Sequence, residues 1–286
     1  MKVILVCMGN FQKYILDNIK NLMLFNNHDI EVICDTNFFS YFVNLNVKLV
    51  DAKTIDTSYF EQKFKLNKQF RNGFWYYCSL RLFILYEYIK KHNLVNCVHI
   101  ENDVMIYENF DKINFNNVNK LCVPFDNNYR AIPSIMYIPN YNSLEWLIDN
   151  YNFNMNDMVN IGRMNDDLVE KLPIYINIYT DNRKSLVENF DKYNVIFDAA
   201  AIGQYLGGVD ERNINGDTRG FINNDSYVKY NENSFFWIKS ENNLLFRPYI
   251  KISEKYIQII NLHIHSKKLI NFMANDPLET KFIIKK

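Results

Sequence analysis

The sequence predicts an α/β fold, with parallel strands at the centre and helices covering them. Three observations carry that expectation. Residues 3–34 read as strand, turn, helix and strand in succession, the pattern of a right-handed βαβ crossover. Residues 73–91 form a densely apolar helical stretch that leads into another short strand. The chain has 286 residues, 48% of them hydrophobic, so it can fill one large core or two small ones without a metal or disulfide staple.

The first unit begins with Val3 to Cys7, a β-rich run ending in the turn signal Met8-Gly9-Asn10. Ile15, Ile19 and Leu22 then recur at helical spacing, and Asn26-Asn27-His28-Asp29 stops that helix. Ile30 to Cys34 is the next strand and ends at Asp35. Ligands of parallel sheets gather at the carboxyl ends of the strands. Gly9, Asn10 and Asp35 therefore stand at the expected ligand edge. The glycines match neither the dinucleotide fingerprint nor the P-loop, which disfavours both of those folds.

Ser58 to Asn72 is polar and reads as a surface excursion. From Gly73 to Lys91 the chain is apolar, and Leu82, Leu85, Tyr86 and Ile89 keep helical spacing. Arg81 lies inside this helix, where its charge requires a buried anion or solvent. A diphosphate or the carboxylate of Glu101 would serve. After Lys91-His92-Asn93, Cys97 to Ile100 is a strand that ends in Glu101-Asn102-Asp103, and Val104 to Tyr107 resumes the apolar pattern. Leu121 to Pro124 and Ser134 to Ile138 read as strands. Asn142 is placed to cap a helix through Ile148, with Glu145 completing a capping box.

Asp198 to Gly208 reads as a short helix with an Asp cap and a Gly terminator. Residues 209–233 are polar and aperiodic, a long functional loop. Phe235 to Ile238 and Ile257 to His265 are the last strands, the second followed by Ser266-Lys267-Lys268. No repeat or linker interrupts the chain. It reads as one domain over 1–286, with a second lobe.

Lys plus Arg equals Asp plus Glu, 32 of each, so broad electrostatic binding of nucleic acid is disfavoured. The five cysteines (7, 34, 78, 97 and 122) are scattered, form no CxxC pair, and read as reduced, buried thiols of a cytoplasmic protein. The N-terminal apolar run is too short for a signal peptide, and no run approaches the roughly 18 residues of a membrane span. Asn, Ile and Lys are abundant. Their AT-rich codons suffice as a cause, so a single Asn says little about function.

Three constellations could carry chemistry. In Glu101-Asn102-Asp103 two carboxylates flank one residue just past a buried strand, and that spacing brings both to one hard cation such as Mg²⁺ or Mn²⁺. An ordinary acidic turn has the same composition. In Asn261-Leu262-His263-Ile264-His265, strand periodicity turns Asn261, His263 and His265 to one face. Imidazole also ligates Mn²⁺, and Lys267 or Lys268 would neutralise a leaving diphosphate. A solvated polar edge fits those residues equally well. The third is Asp198 with Ala199 to Ala201, either a helix cap or a carboxylate beside a tight pocket floor. Asp210, Glu211, Asp217 and Arg219 follow it in the polar loop.

Five ordered segments, Val3–Asn10, Phe74–Lys90, Val98–Tyr107, Phe197–Asp210 and Leu262–Lys268, together resemble nucleotide-sugar glycosyltransferases of the GT-A type, in particular small members from bacteria and large DNA viruses. The resemblance covers about residues 1–270. It implies a mixed, mostly parallel central sheet flanked by helices, with a smaller acceptor-side lobe. Residues 1–107 would be the nucleotide-sugar half, 108–270 the acceptor half with the C-terminal metal-binding strand, and 271–286 a tail.

By that resemblance Glu101-Asn102-Asp103 stands for the DxD motif, with Glu in place of the first Asp. Asp103 is the main metal ligand, and Glu101 contacts metal or nucleotide. His265 is taken over His263 as the C-terminal metal ligand because of its relation to Lys268, the diphosphate-binding Lys. Arg81, Gly9, Asn10 and Asp35 help to hold the nucleotide, and Asp198 or Asp210 serves the reacting sugar. The implied reaction transfers a sugar from an NDP-sugar, UDP-sugar first, to a glycan or other hydroxyl acceptor with Mn²⁺ or Mg²⁺. An inactive sugar-nucleotide or glycan-binding module and a metal-dependent nucleotide phosphohydrolase are the alternatives.

Overall fold

The computed structural model describes residues 1–175, 187–208, 210, 235–239, 244–252 and 254–277, and the backbone of 283–285. Its centre is a seven-stranded sheet. In chain order its elements are β1 (Lys2–Cys7), α1 (Ile15–Leu24), β2 (Ile30–Cys34), β3 (Lys48–Asp51), α2 (Ser58–Lys63), α3 (Phe74–Lys91) and β4 (Cys97–Ile100). After β5 (Val104–Ile106) come β6 (Leu121–Pro124), β7 (Ile135–Ile138), α4 (Asn142–Asp149), α5 (Asp157–Gly162) and β8 (Val169–Leu172). The strand order is β3-β2-β1-β4-β7-β6-β8. The first four strands run parallel, β7 is antiparallel to both of its neighbours, and β8 is parallel to β6.

The α/β arrangement expected from the sequence, a mixed and mostly parallel central sheet flanked by helices with a smaller lobe, is the arrangement observed. The βαβ reading of residues 3–34 holds, with Val3 opposite Ile30 and Cys7 opposite Cys34. Alternation along β1 divides the core. Ile4 and Val6 join the cluster under α3, whereas Val3, Leu5 and Cys7 join the cluster under α1. A strand covered on both faces is apolar throughout, hence the unbroken run in the sequence. Leu82, Leu85 and Ile89 of α3 are fully buried. Each such side chain contributes roughly 1.5–3 kcal/mol of hydrophobic stabilisation.

The second lobe follows α6 (Phe190–Tyr193) and α7 (Ile202–Gly207). It is a four-stranded sheet in the order β11-β10-β9-β13, built from β9 (Phe235–Lys239), β10 (Phe246–Ile252), β11 (Lys255–Gln258) and β13 (Ile283–Lys285). Between them, β12 (Asn261–His263) leaves that sheet and pairs antiparallel with β5. Met105 and Tyr107 from the first half pack with Trp237, Ile250, Leu262 and Phe272 in this lobe's core.

Several local expectations change. Ile257–His265 is not one strand: it breaks after Gln258 so that β12 can switch partner to β5. Ser58–Asn72 is not wholly a surface excursion, because α2 forms there and buries Phe60 against Phe83. Asn142 lies inside α4 rather than capping it, and the residue before it, Tyr141, makes no side-chain cap bond. The 271–286 stretch, expected as a tail, contributes β13, which pairs with β9. The 209–233 loop, with Glu211, Asp217 and Arg219, lies outside the described residues apart from Asp210.

Candidate active site

The acidic turn after β4 is fixed by its middle residue. The Asn102 amide nitrogen donates to the Val6 carbonyl of β1 at 2.8 Å and to Gln12 Oε1 at 2.5 Å. Helix α1 grips the same turn, since Asn18 Nδ2 donates to the carbonyls of Glu101 and Asn102 at 3.1 and 3.2 Å. One helical turn further, Asn21 donates to Ile106 O at 2.6 Å and accepts from Ala274 N at 2.9 Å. With the middle side chain pinned to the strand, Glu101 and Asp103 both reach His263.

His263 ends β12, directly opposite Val104 of β5. Its Nε2 lies 3.4 Å from Glu101 Oε2 and 3.2 Å from Asp103 Oδ2. One ligand atom from each of the three residues falls within 4.8 Å of the other two. Lys267 also pairs with Asp103 Oδ2. Burial alone would push the Asp103 carboxyl up, but Lys267 and His263 beside it hold it well below the usual carboxylate range. Burial likewise pulls His263 down, and Asp103 and Glu101 outweigh it, so the imidazole is raised.

The donors suit a hard or borderline divalent ion: two carboxylate oxygens and one imidazole nitrogen. His263 Nδ1 is buried without a hydrogen-bond partner among the described residues. Its ring is therefore oriented by the carboxylates at Nε2 and by its own backbone. Two carboxylates with one imidazole fit Mn²⁺ better than Mg²⁺, which prefers oxygen donors alone.

The two histidines expected as alternatives are separated by the geometry. His263, not His265, joins the carboxylates. His265 lies past the end of β12, with its ring centroid 4.3 Å from that of His263 and its Nε2 3.3 Å from Gln204 Nε2. Burial, with His263 and Lys267 close by, pushes its pKa well below the usual histidine range, so it is a neutral wall of the site. The two lysines are placed differently. Lys267 has φ 63° and meets Asp103, whereas Lys268 is exposed and does not line the cavity.

Asp198 is fully buried, and main-chain groups use all of its acceptor capacity. Oδ1 accepts from Ala201 N and Ile202 N at 2.8 and 2.7 Å. Oδ2 accepts from Gly203 N at 2.8 Å and His263 N at 2.9 Å. A carboxylate has about four lone-pair sites, and none is left to take a proton from a substrate. The expected catalytic role of Asp198 is corrected to a structural one: it starts α7 and ties that helix to β12. Asn261 completes the clasp, exchanging bonds of 3.0 and 3.2 Å with the Asp198 main chain.

The cluster opens into a cavity of about 840 Å³ at the carboxyl ends of β1 and β4. Glu101, Asp103, His263, His265 and Lys267 line it, as do Asn10, Arg81 and Asp210. Phe70, Phe74, Trp75 and Tyr77 form an aromatic wall, and Ala199 to Ala201 form a small-residue floor. Gly9 and Asp35 do not face the cavity. They brace the β1–α1 loop, with Gly9 N donating to Asp35 Oδ2 at 2.8 Å. Gly9 has φ +73°, and a Cβ there would fall 2.3 Å from the Tyr77 ring, so glycine lets that ring close on the loop.

Arg81 is buried with two anions rather than one. Its guanidinium donates to Glu101 Oε1 at 2.5 Å and to Asp157 Oδ2 at 2.8 Å. Asp157 stands in the first turn of α5, is 2% exposed, and also lines the cavity. Sequence reasoning missed it, and it missed the buried Asn18 and Asn21. The one available signal for Asp157 was the unpaired charge expected of Arg81.

No family model matches the chain, and no curated protein matches it in sequence. Several solved structures resemble it in part. The galactosyltransferase LgtC, in complex with donor and acceptor sugar analogs, is 14% identical over 60% of this chain and 73% of its own, with a TM-score of 0.41. Mouse xyloside xylosyltransferase 1 in its apo form is 10% identical over 67% and 92%, with a TM-score of 0.42. The glycosyltransferase GlyE in Streptococcus pneumoniae TIGR4 is 14% identical over 60% and 45%, with a TM-score of 0.40. Likenesses this distant carry no functional weight by themselves.

Proposed function

We propose that the chain is a metal-dependent glycosyltransferase that moves a sugar from an NDP-sugar, UDP-sugar first, to a hydroxyl of a glycan or other acceptor. The observation that carries this reading is the Glu101, Asp103 and His263 cluster at the strand ends, opening into a cavity of nucleotide-sugar size. Those three residues would hold Mn²⁺ or Mg²⁺. A divalent ion bound there supplies positive charge to a departing diphosphate. Lys267 adds a cation on the same side, beside Asp103. Phe70, Phe74, Trp75 and Tyr77 add an apolar wall on which a flat ring of the donor could stack. If the reaction inverts, the base comes from the cavity-lining carboxylates, with Asp210 first, because Asp198 is saturated by main-chain donors. We place the protein in the cytoplasm on the strength of its five free cysteines.

A panel of NDP-sugars, run with Mn²⁺ and with EDTA, tests the reading. Turnover is expected to need the metal and to rise with the right acceptor. Asp103→Asn should abolish it, and Mn²⁺-dependent nucleotide binding with it, while leaving the protein folded. Near-wild-type transfer in that variant overturns the proposal. Binding without turnover would identify an inactive module, and turnover indifferent to acceptor a phosphohydrolase.

A further inference from the structure

We infer that Asp157 is a positioning residue for metal binding, acting through Arg81 on Glu101; the inference rests on the metal-dependent reading above. The geometry divides the Glu101 carboxylate between two duties. Oε1 is held by Arg81 at 2.5 Å, and Oε2 lies 3.4 Å from His263 Nε2 at the cluster. The other arm of the same guanidinium is held by Asp157 at 2.8 Å. Arg81 and Asp157 are 6% and 2% exposed, so water screens neither contact appreciably.

Two consequences follow from placing Arg81 between two carboxylates. The first is directional. A guanidinium is planar and donates in a fixed fork, so anchoring one arm at Asp157 fixes where the other arm meets Glu101. Glu101 carries one methylene more than an Asp at the same place, and that extra torsion is what such an anchor removes. The second is electrostatic. Arg81 paired with Glu101 alone would cancel its charge and make it a poor ligand for a dication. With Asp157 present the trio keeps a net charge of −1, so Oε2 remains an effective ligand.

Groups that orient metal ligands from behind typically change metal affinity by about 10–100-fold when removed. The test titrates Mn²⁺ into the purified protein without nucleotide and reads free Mn²⁺ by its aqueous paramagnetic resonance signal. Asp157→Asn keeps the shape and removes the charge. It is expected to weaken Mn²⁺ binding about tenfold or more. In a Glu101→Gln background the same change should have little further effect, because the path through Glu101 is already broken. Should Asp157→Asn fail to fold, Arg81→Met combined with Asp157→Leu exchanges the buried charges for apolar bulk, a swap that proteins often tolerate. That pair of changes removes the anchor but leaves Glu101 its own charge, so it tests direction alone: a loss smaller than that expected of Asp157→Asn, yet more than about twofold, is expected.

Mn²⁺ affinity within about twofold of wild type in whichever variant folds overturns the inference. So does a loss that is fully additive with Glu101→Gln, which would mean that Asp157 acts elsewhere. Wild-type protein that binds no Mn²⁺ overturns the metal reading itself, and this inference with it.

Discussion

At the scale of single residues, the side chains that carry the most structural duty are those whose polar atoms the main chain uses up. Asp198 illustrates this, with four backbone N–H groups on two oxygens. Asn at that position offers one oxygen and turns an NH₂ group toward the remaining N–H donors. Hydrogen bonds to a charged acceptor contribute about 1.5–3 kcal/mol each. Asp198→Asn should therefore lower the melting temperature by roughly 5 °C or more. A melting temperature within about 2 °C of wild type, with transfer lost, would return Asp198 to catalysis. Asp198 was read as the residue that caps a helix at once, whereas α7 starts only at Ile202 with Ala201 at its cap, and Asp198 reaches its first N–H groups from three residues upstream; neither that offset nor the bond to His263 N was legible. Asn18, Asn21 and Asn102 were passed over because Asn is common in this chain, and their roles appear only when the loops they hold are brought beside them.

At the scale of elements, α7 and β12 form a unit whose closeness depends on one glycine. A Cβ on Gly203 would lie 2.1 Å from the carbonyl oxygen of His263. In an ordinary helix Gly→Ala is mildly stabilising, by about 0.4–1 kcal/mol. Here the helix would have to back away from the strand, and overpacking of this kind costs about 1–3 kcal/mol. Gly203→Ala should lower both the melting temperature and Mn²⁺ affinity, since His263 moves with its backbone. Gly207→Ala, whose Cβ would meet the Phe272 ring at 3.1 Å, is the control and should leave Mn²⁺ affinity near wild type. Equal Mn²⁺ affinity in the two variants would show that α7 does not set the position of His263. The choice between His263 and His265 was not legible for a related reason. Period-two alternation puts both on one face, but only the pairing of β12 with β5 shows where the strand stops.

At the scale of the molecule, the parallel half of the sheet was legible because strands buried on both faces leave apolar runs that break at turns. The partner switch of β12 was not, because it depends on contacts made across most of the chain. The foot of the sheet offers a whole-molecule test of stability. Glu31 of β2 is 3% exposed and accepts from Lys2 at 2.7 Å, Lys48 at 2.9 Å and Tyr88 at 2.5 Å. Burial alone would raise its pKa, but these donors outweigh it, and the folded value lies below the ordinary one. A carboxyl depressed on folding stabilises the protein fully above its unfolded pKa of about 4.3, and that contribution disappears as pH falls through the folded value. Urea midpoints should therefore drop from about pH 5 downward, and Glu31→Gln should flatten that part of the curve. An unchanged slope in the variant would assign the acid sensitivity to other carboxylates.

The ribbon of β5 and β12 also sets an order in time. Lys267 follows Asp103 by 164 residues, so a ribosome working at roughly 5–20 residues per second finishes the acidic turn on the order of ten seconds before its cationic partners emerge. Throughout that interval Glu101 and Asp103 are neighbouring negative charges with neither His263 nor Lys267 to balance them. The nascent chain thus holds a half-built cluster with Arg81 as its nearest cation, and the arrival of β12 brings the imidazole and the ammonium that complete it.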